Sequence, residues 1–400
     1  MMSYSHCKAI ELFTLSFLII LISCRPSSTN NQNNRANINL SAPVQQDLNM
    51  STFISDIQYV PLETTDENLI GNINQLLLTD DKMIVVDQKT ASIFFFDHKG
   101  KYLYKIAEQG IGPGQYTQIN GAAINHKKKE VYVLDRKKVH VYTMEGNFDK
   151  TIQLGFLAND FICADHSLVF YCDYGRNNHI SKDNQTPLLA IYDLQTSDTH
   201  YFLYQDSSID LVEIIDYHML RNYSGREEGI LTFPLSDEVY QLTSDGVSPK
   251  YSIDFGKANL EKKKAHLSML KEERLSTEDG LEGGKGYPDF WEIQGCLESD
   301  SVLFIGYNNY AEHKTGVYLR DKRSNKQLSG YSSNGWVIKN DIDKGYPLLP
   351  LALEGSKFYT IVPPFYLQEM KSENPQLRNI IENLTGEENP ILMVSSVKID

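Results

Sequence analysis

The chain reads as an all-β, six-bladed β-propeller closed by its own N- and C-terminal strands, with a small helical insertion. Three observations predict this. A 24-residue unit appears twice, as MIVVDQKTASIFFFDHKGKYLYKI (83–106) and VYVLDRKKVHVYTMEGNFDKTIQL (131–154). Equivalent positions, such as Asp87 and Asp135, lie 48 residues apart, the size of one four-stranded blade. Weaker echoes of the unit follow, and a β-rich run without a partner of its own stands near each end of the chain.

Each copy is a β-rich run ending in Asp, a turn, a second run, a Gly turn and a third run. LLAIYDLQTSDTHYFLY (188–204) repeats half of the unit, and DEVYQLTSDGVSPKYSIDFG (237–256) repeats it again with Asp245-Gly246 as a hairpin turn. TGVYLRDKRSNKQLSGY (315–331) is a fifth blade, and residues 336–362 with the two chain ends make the sixth. A ring of sheets must close or expose edges, so ISDIQYVPLE (54–63) and PILMVSSVKI (390–399) are expected to meet in the last blade as a clasp. Six blades over residues 54–400 average about 58 residues, longer than a minimal blade, so insertions must exist. One is the helical stretch LEKKKAHLSMLKEER (260–274) within an insertion of about 257–287, with Leu260, Leu267 and Leu270 on one face. A Gly-rich loop, DGLEGGKGYPDFW (279–291), follows it, and a second helical piece covers 376–384. Both are expected to be excursions over one face of the ring.

The N-terminus carries an address. Leu12–Ile22 is an almost unbroken apolar run, too short to span a bilayer and suited to a signal-peptide core. Leu21-Ile22-Ser23-Cys24 resembles the bacterial lipobox, which makes residues 1–23 a lipoprotein signal peptide and Cys24 the lipidated residue. Arg25 follows the cysteine, where Asp commonly marks retention at the inner membrane, so outer-membrane attachment is expected. Residues 24–52, rich in Asn, Gln and Ser, read as a polar disordered tether, and residues 53–400 as the propeller.

A net charge of −14 argues against a nucleic-acid partner, because phosphate recognition needs a basic stripe. The basic clusters 127–129 and 136–138 fall where turns are expected. Cys163, Cys172 and Cys296 remain in the mature chain. FICADHSLVFYC (161–172) reads as a hairpin turning near His166, pairing Cys163 with about Val169 and leaving Cys172 out of register, so free thiols are expected.

Several residues invite a chemical reading. Asp87, Asp135, Asp97 and Asp193 could ligate a cation, but they recur by blade, which favours turn formation through backbone N–H bonds. Calcium would need six or more converging oxygens, and no motif supplies them. Gly110, Gly112 and Gly114 sit between strands rather than before a helix, so they shape a turn rather than cradle phosphate. The cluster around Lys285 fails as a P-loop, with Asp279 and Gly286 at positions needing Gly and Ser or Thr. The ten His form no HExxH pair, and no Gly-x-Ser-x-Gly appears. No catalytic residue, metal ligand or cofactor follows from the sequence. The remaining candidates are for ligand binding: Tyr287 and Trp291 after the helical insertion, Tyr307 in the next blade, and Arg221 and Arg226 in a long loop of the fourth blade.

Taken together, VPLETTDENLIG (60–71), GIGPGQY (110–116), PLSDEVYQL with DGVSPKYSIDFG (234–256) and ENPILMVSSVKI (388–399) resemble the six-bladed β-propeller lipoproteins of Bacteroides-type anaerobes, distant relatives of NHL-repeat propellers. Gln115 stands where that family usually has an acidic residue. The resemblance implies fold and envelope location and no general activity. The expected function is a lipid-anchored, non-catalytic binding or scaffold module for a glycan, peptide or envelope protein. Two alternatives stand beside it: a metal-dependent hydrolase or lyase with its site in the central channel, and a structural subunit of an envelope complex. The enzyme would place at least three of Asp, Glu, Asn or His around the axis. The subunit would expose an apolar patch.

Overall fold

A computed structural model describes residues 35–41, 47–172, 177–206, 220–222, 228–233, 236–276, 289–332, 335, 337–368 and 370–399. Two strands precede the repeats, β1 (Ala36–Asn39) and β2 (Ile54–Pro61). The first blade is β3 (Gln75–Leu78), β4 (Met83–Asp87), β5 (Ser92–Phe96) and β6 (Tyr102–Ile106). The second is β7 (Gly121–Asn125), β8 (Glu130–Asp135), β9 (Lys138–Thr143) and β10 (Phe148–Gln153). The third is β11 (Ala158–Ala164), β12 (Ser167–Cys172), β13 (Gln185–Asp193) and β14 (Thr199–Asp206). The fourth holds β15 (Leu220–Asn222), β16 (Gly229–Thr232), β17 (Glu238–Thr243) and β18 (Gly246–Asp254). The fifth is β19 (Trp291–Glu298), β20 (Val302–Asn309), β21 (Lys314–Asp321) and β22 (Gln327–Ser332). The sixth combines β23 (Pro350–Glu354), β24 (Lys357–Val362) and β25 (Ile391–Val397) with β2.

Each blade is an antiparallel sheet running from the axis outward. Neighbouring blades touch near the axis, innermost strand to innermost strand from β3 to β7 to β11 to β15, then from β16, the second strand of blade four, to β19, and on to β23 and back to β3. The middle strands are covered on both faces, so they are apolar without alternation. Every residue of β4 and β5 is buried, whereas outer β6 alternates with solvent. The duplicated sequence unit is therefore strands two to four of a blade, and the inner strand lies upstream of it. The terminal clasp forms as expected, with β2 antiparallel to β25 from Ile54↔Val397 to Pro61↔Ile391.

The recurring aspartates tie turns. Asp87 accepts the N–H groups of Lys89 (2.9 Å) and Thr90 (3.1 Å), and that of Gly71 in the preceding link (2.7 Å). Asp135 does the same for the link before its blade, accepting Thr117 N–H at 2.8 Å. Asp97 accepts from Lys99 and Lys101, and Asp193 from Gln195 and Thr196. In the Gly-rich loop Gln115 Oε1 takes the Gly112 N–H at 3.0 Å, and the Tyr142 hydroxyl donates to the Gly114 carbonyl. Gly114 has φ +74°, and a Cβ there would meet the Phe148 ring at 2.6 Å, so only glycine fits.

One joint between blades is ionic. Glu298, at the end of β19, is buried between blades four and five. Its carboxylate meets Lys250 at 2.9 Å and Lys322 at 2.5 Å, and accepts the Tyr251 hydroxyl at 2.7 Å. Burial pushes the carboxyl pKa up, but the two ammonium groups and the phenol outweigh it and hold the group below the usual carboxylate range.

Three expectations need correction. Residues 36–39 are not tether: β1 pairs in parallel with the outer strand β18, Ala36↔Tyr251 to Asn39↔Asp254, as a fifth strand on blade four. Its composition is polar because only Ile38 is buried; its stability comes from a borrowed edge, a non-local gain that composition cannot show. Leu48 and Met50 also lie in the core, packed with blades five and six. In the third blade Cys163 pairs with Leu168 rather than Val169, because the turn is the two residues Asp165-His166. Cys163, Cys172 and Cys296 are free and buried. The helical insertion forms α1 (Lys257–Ser276), on which Leu260 is 43% exposed. Asn259 and Lys263 are the buried residues of its first two turns. Two shorter helices, α2 (Pro364–Leu367) and α3 (Pro375–Glu382), precede the closing strand.

Candidate functional site

Strand direction sorts the connections. The turns from first to second strand surround the axis on one face. The second-to-third turns and the links between blades emerge on the other, which therefore carries the long connections 62–74, 107–120, 257–290, 333–349 and 363–390. Both helical excursions lie on this loop face, as the sequence predicts.

The tight-turn face carries a cavity of about 730 Å³ at the axis, lined by Asp80, His126, Lys127, Asp165, Asp245 and Glu354 among others. Asp165 is engaged on both sides, by Lys127 Nζ at 2.9 Å and His166 Nδ1 at 3.0 Å. The hydrogen bond to Asp165 raises the His166 pKa, helped by Asp193 and Asp245 nearby. Among the described residues no three His, Cys, Asp or Glu converge as metal ligands.

The loop face is built differently. Of the exposed large apolar side chains among the described residues, Leu103, Phe148 and Tyr204 sit on outer strands, whereas Leu69, Ile111, Leu260, Leu349, Phe365 and Tyr366 all sit on loop-face connections. Ile111 at the tip of the Gly-rich loop is 95% exposed and Phe365 is 60% exposed. Two elements shape the aromatic part. In α2, buried Pro364 and Leu367 hold the turn down and leave Phe365 and Tyr366 outward. Their ring centroids lie 4.1 Å apart, and Tyr346 adds a third ring 5.6 Å from Tyr366.

Tyr346 is positioned by a buried carboxylate. Asp343 Oδ1 accepts from Asn340 Nδ2 (2.6 Å) and the Gly345 N–H (2.9 Å), and Oδ2 accepts the Tyr59 hydroxyl (3.0 Å). The Ser372 hydroxyl donates to the Asp343 carbonyl at 2.7 Å, joining the segment ahead of α3 to the same loop. Burial first, and the Asp343 charge second, push the Tyr59 phenol far above its ordinary pKa, so it stays a donor. Three rings on a fixed support can stack against a sugar ring or an apolar side chain.

The residues predicted as ligand-binding fare unevenly. Tyr307 is core: its ring is buried and its hydroxyl donates to the Gly330 carbonyl at 3.2 Å. Half-buried Trp291 packs on Tyr307 (5.3 Å) and Tyr331 (5.9 Å), its backbone N–H and carbonyl both bonded to Asn259. Arg221 lies in β15 opposite Ile230 rather than in a loop, and its side chain lies outside the described residues, as do Arg226, Tyr287 and Cys24. Sequence reading missed Phe365 and Tyr366; the signal available was an aromatic pair directly after the strand-breaking Pro363-Pro364.

A family model described as a domain of unknown function, DUF4934, matches residues 35–396. The chain belongs to the DUF4934 family. The match begins at the residue before β1 and ends within β25, so the added strand and the clasp are both parts of the DUF4934 domain. Among solved structures, the DUF4934 chain is similar to a Bacteroides fragilis protein provisionally described as exported, at 15% identity and TM-score 0.65, over 90% of this chain and 99% of that one. It is also similar to a member of the DUF4221 family from Bacteroides vulgatus, at 9% identity and TM-score 0.47, over 86% of this chain and 97% of that one. No curated protein matches the sequence. The first likeness carries the propeller fold. Among the described residues no helix is long and apolar enough to cross a membrane.

Proposed function

We propose that this chain is an NHL-like, lipid-anchored envelope propeller, held at the outer membrane through Cys24, that presents its loop face to a glycan, peptide or protein without catalysing a reaction. One observation carries the binding part: among the described residues, the exposed large apolar side chains outside the outer strands all lie on loop-face connections, with three rings in contact at Tyr346, Phe365 and Tyr366. Apolar clusters on a rigid surface mark contact sites. The anchor rests on the apolar run and lipobox ahead of Cys24, and the exported description of a similar protein agrees with it. The structural-subunit reading draws on the same patch, and a single envelope protein as the captured partner would favour it.

The test uses the full chain in a host that processes lipoproteins. Wild type is expected to incorporate labelled palmitate, and Cys24→Ser to abolish it. In pull-downs from solubilised envelope, and on arrays of envelope glycans, the Phe365→Ala/Tyr366→Ala double variant should lose ligand at least about tenfold, in line with about 1.4 kcal/mol or more for buried aromatic contacts. Leu103→Ala, on an outer strand, should leave recovery unchanged. Equal recovery by the double variant would show that the ligand docks elsewhere.

A further inference from the structure

The tight-turn face holds another cavity, of about 480 Å³, between blades five and six, where it shares Glu354 with the axial one. It lies on the face opposite the aromatic patch of Phe365 and Tyr366. Blade five supplies Ser301 and Val302 around the start of β20, and Asp321 and Arg323 around the end of β21. Blade six supplies the turn from Glu354 to Lys357, between β23 and β24, and the end of β25. The floor is apolar. Val302 is buried in the core cluster that joins the two blades, and half-buried Val397 and Ile399 pack against the same cluster.

The rim is charged, and its charges are not spent on one another. Glu354 and Lys357 face each other across a two-residue turn, yet no ion pair joins them. Arg323 and Lys357 are exposed, and among the described residues neither side chain has a hydrogen-bond or ion-pair partner. Glu354 accepts the Tyr359 hydroxyl on Oε2 at 3.3 Å and leaves Oε1 open. Asp321 is committed to its own turn. Its Oδ1 accepts the N–H groups of Ser324 at 3.1 Å and Arg323 at 2.8 Å, which hold the carboxyl below the usual carboxylate range. Arg323 and Lys357 carry donors only and suit a carboxylate, and the open Glu354 oxygen suits an ammonium. The three aliphatic side chains below them suit an aliphatic body, and the volume falls in the range of small-molecule sites, about 300–1,000 Å³. We propose that this cavity binds a zwitterion with an aliphatic body, the chemistry shared by a free aliphatic amino acid and a short aliphatic peptide with free ends. Arg323 and Lys357 hold its carboxylate, Glu354 its ammonium, and Val302, Val397 and Ile399 its side chain.

The test titrates the purified full chain calorimetrically with leucine and with leucyl-leucine, each also in its N-acetylated and its C-amidated form. At least one of the two zwitterions should bind with a Kd of about 1 mM or tighter. The tighter of the two identifies the source as amino acid or peptide. Its blocked forms, each lacking one charge, should bind at least about tenfold more weakly. The double variant Arg323→Gln/Lys357→Gln should lose about tenfold or more in affinity, and so should Glu354→Gln. The two cations are exposed and hold no partner, so replacing them leaves the fold intact, which circular dichroism checks. Phe365→Ala/Tyr366→Ala should bind as wild type, which separates this site from the loop face. Failure of both zwitterions to bind would overturn the proposal. So would equal binding of the blocked forms, or an unchanged Kd in the Arg323→Gln/Lys357→Gln variant.

Discussion

Glu298→Ala is expected to destabilise the ring by about 3–5 kcal/mol, the cost of leaving buried cations without their counter-charge. The substitution strands Lys250 and Lys322, whose side chains are only 19% and 22% exposed, and removes the acceptor of the Tyr251 hydroxyl. Urea unfolding followed by tryptophan fluorescence reads it, because Trp291 stands at the other end of the strand that Glu298 closes. Glu298→Gln should cost nearly as much, since an amide keeps the shape and loses the charge. The triple variant Glu298→Leu, Lys250→Met, Lys322→Met should recover most of the loss, because the charges are then removed together. A triple variant no more stable than Glu298→Ala would mean that the joint is held by packing rather than by charge. The pH dependence follows from the direction of the shift. The folded-state pKa of Glu298 is depressed, so its contribution is fully present above the unfolded-state pKa and is lost as pH falls through the folded one. Acid should therefore weaken wild type more than the triple variant.

The parts of the fold legible in the sequence are those whose burial is two-sided. Strands β4, β5, β8 and β9 are sandwiched between neighbouring blades, so their apolar runs and closing aspartates recur and the period stands out. The inner strands carry less signal: β7 is Gly-Ala-Ala-Ile-Asn, small residues where sheets converge on the axis. β1 was illegible because four residues with a single large apolar side chain, Ile38, become a strand only by borrowing the edge of β18. The candidate site followed the same divide. Aromatic density around Trp291 and Tyr307 is real, but those rings face the blade core, and neither spacing nor composition separates an inward ring from an outward one. Phe365 and Tyr366 face outward because Pro364 and Leu367 bury the other side of a single turn, a choice made by packing against the sixth blade.

Ending the chain at Asn389 is expected to abolish the folded ring, whereas removing β1 should not. The closing strand supplies Ile391, Leu392 and Met393, all essentially inaccessible, and it pairs with β24 on one side and β2 on the other. Burying three such side chains is worth about 5–9 kcal/mol, which is of the order of the whole stability of a domain. The loss goes further than those contacts, because without β25 the strand β2 has no neighbour and the sixth blade no longer spans the first and last repeats. β1 stands in another relation to the ring: it is an outer fifth strand, pairs on one side only and buries one large side chain, Ile38. Its deletion should leave a cooperative unfolding transition at a lower urea midpoint. Limited proteolysis and circular dichroism of the two truncations distinguish the cases. Met393→Ala offers an intermediate reading, with an expected loss of about 2–5 kcal/mol. A soluble, protease-resistant chain ending at Asn389 would mean that five blades can hold the ring without the clasp. The repeat would then be closed by packing between adjacent sheets alone, and the N-terminal strand would be an accessory like β1.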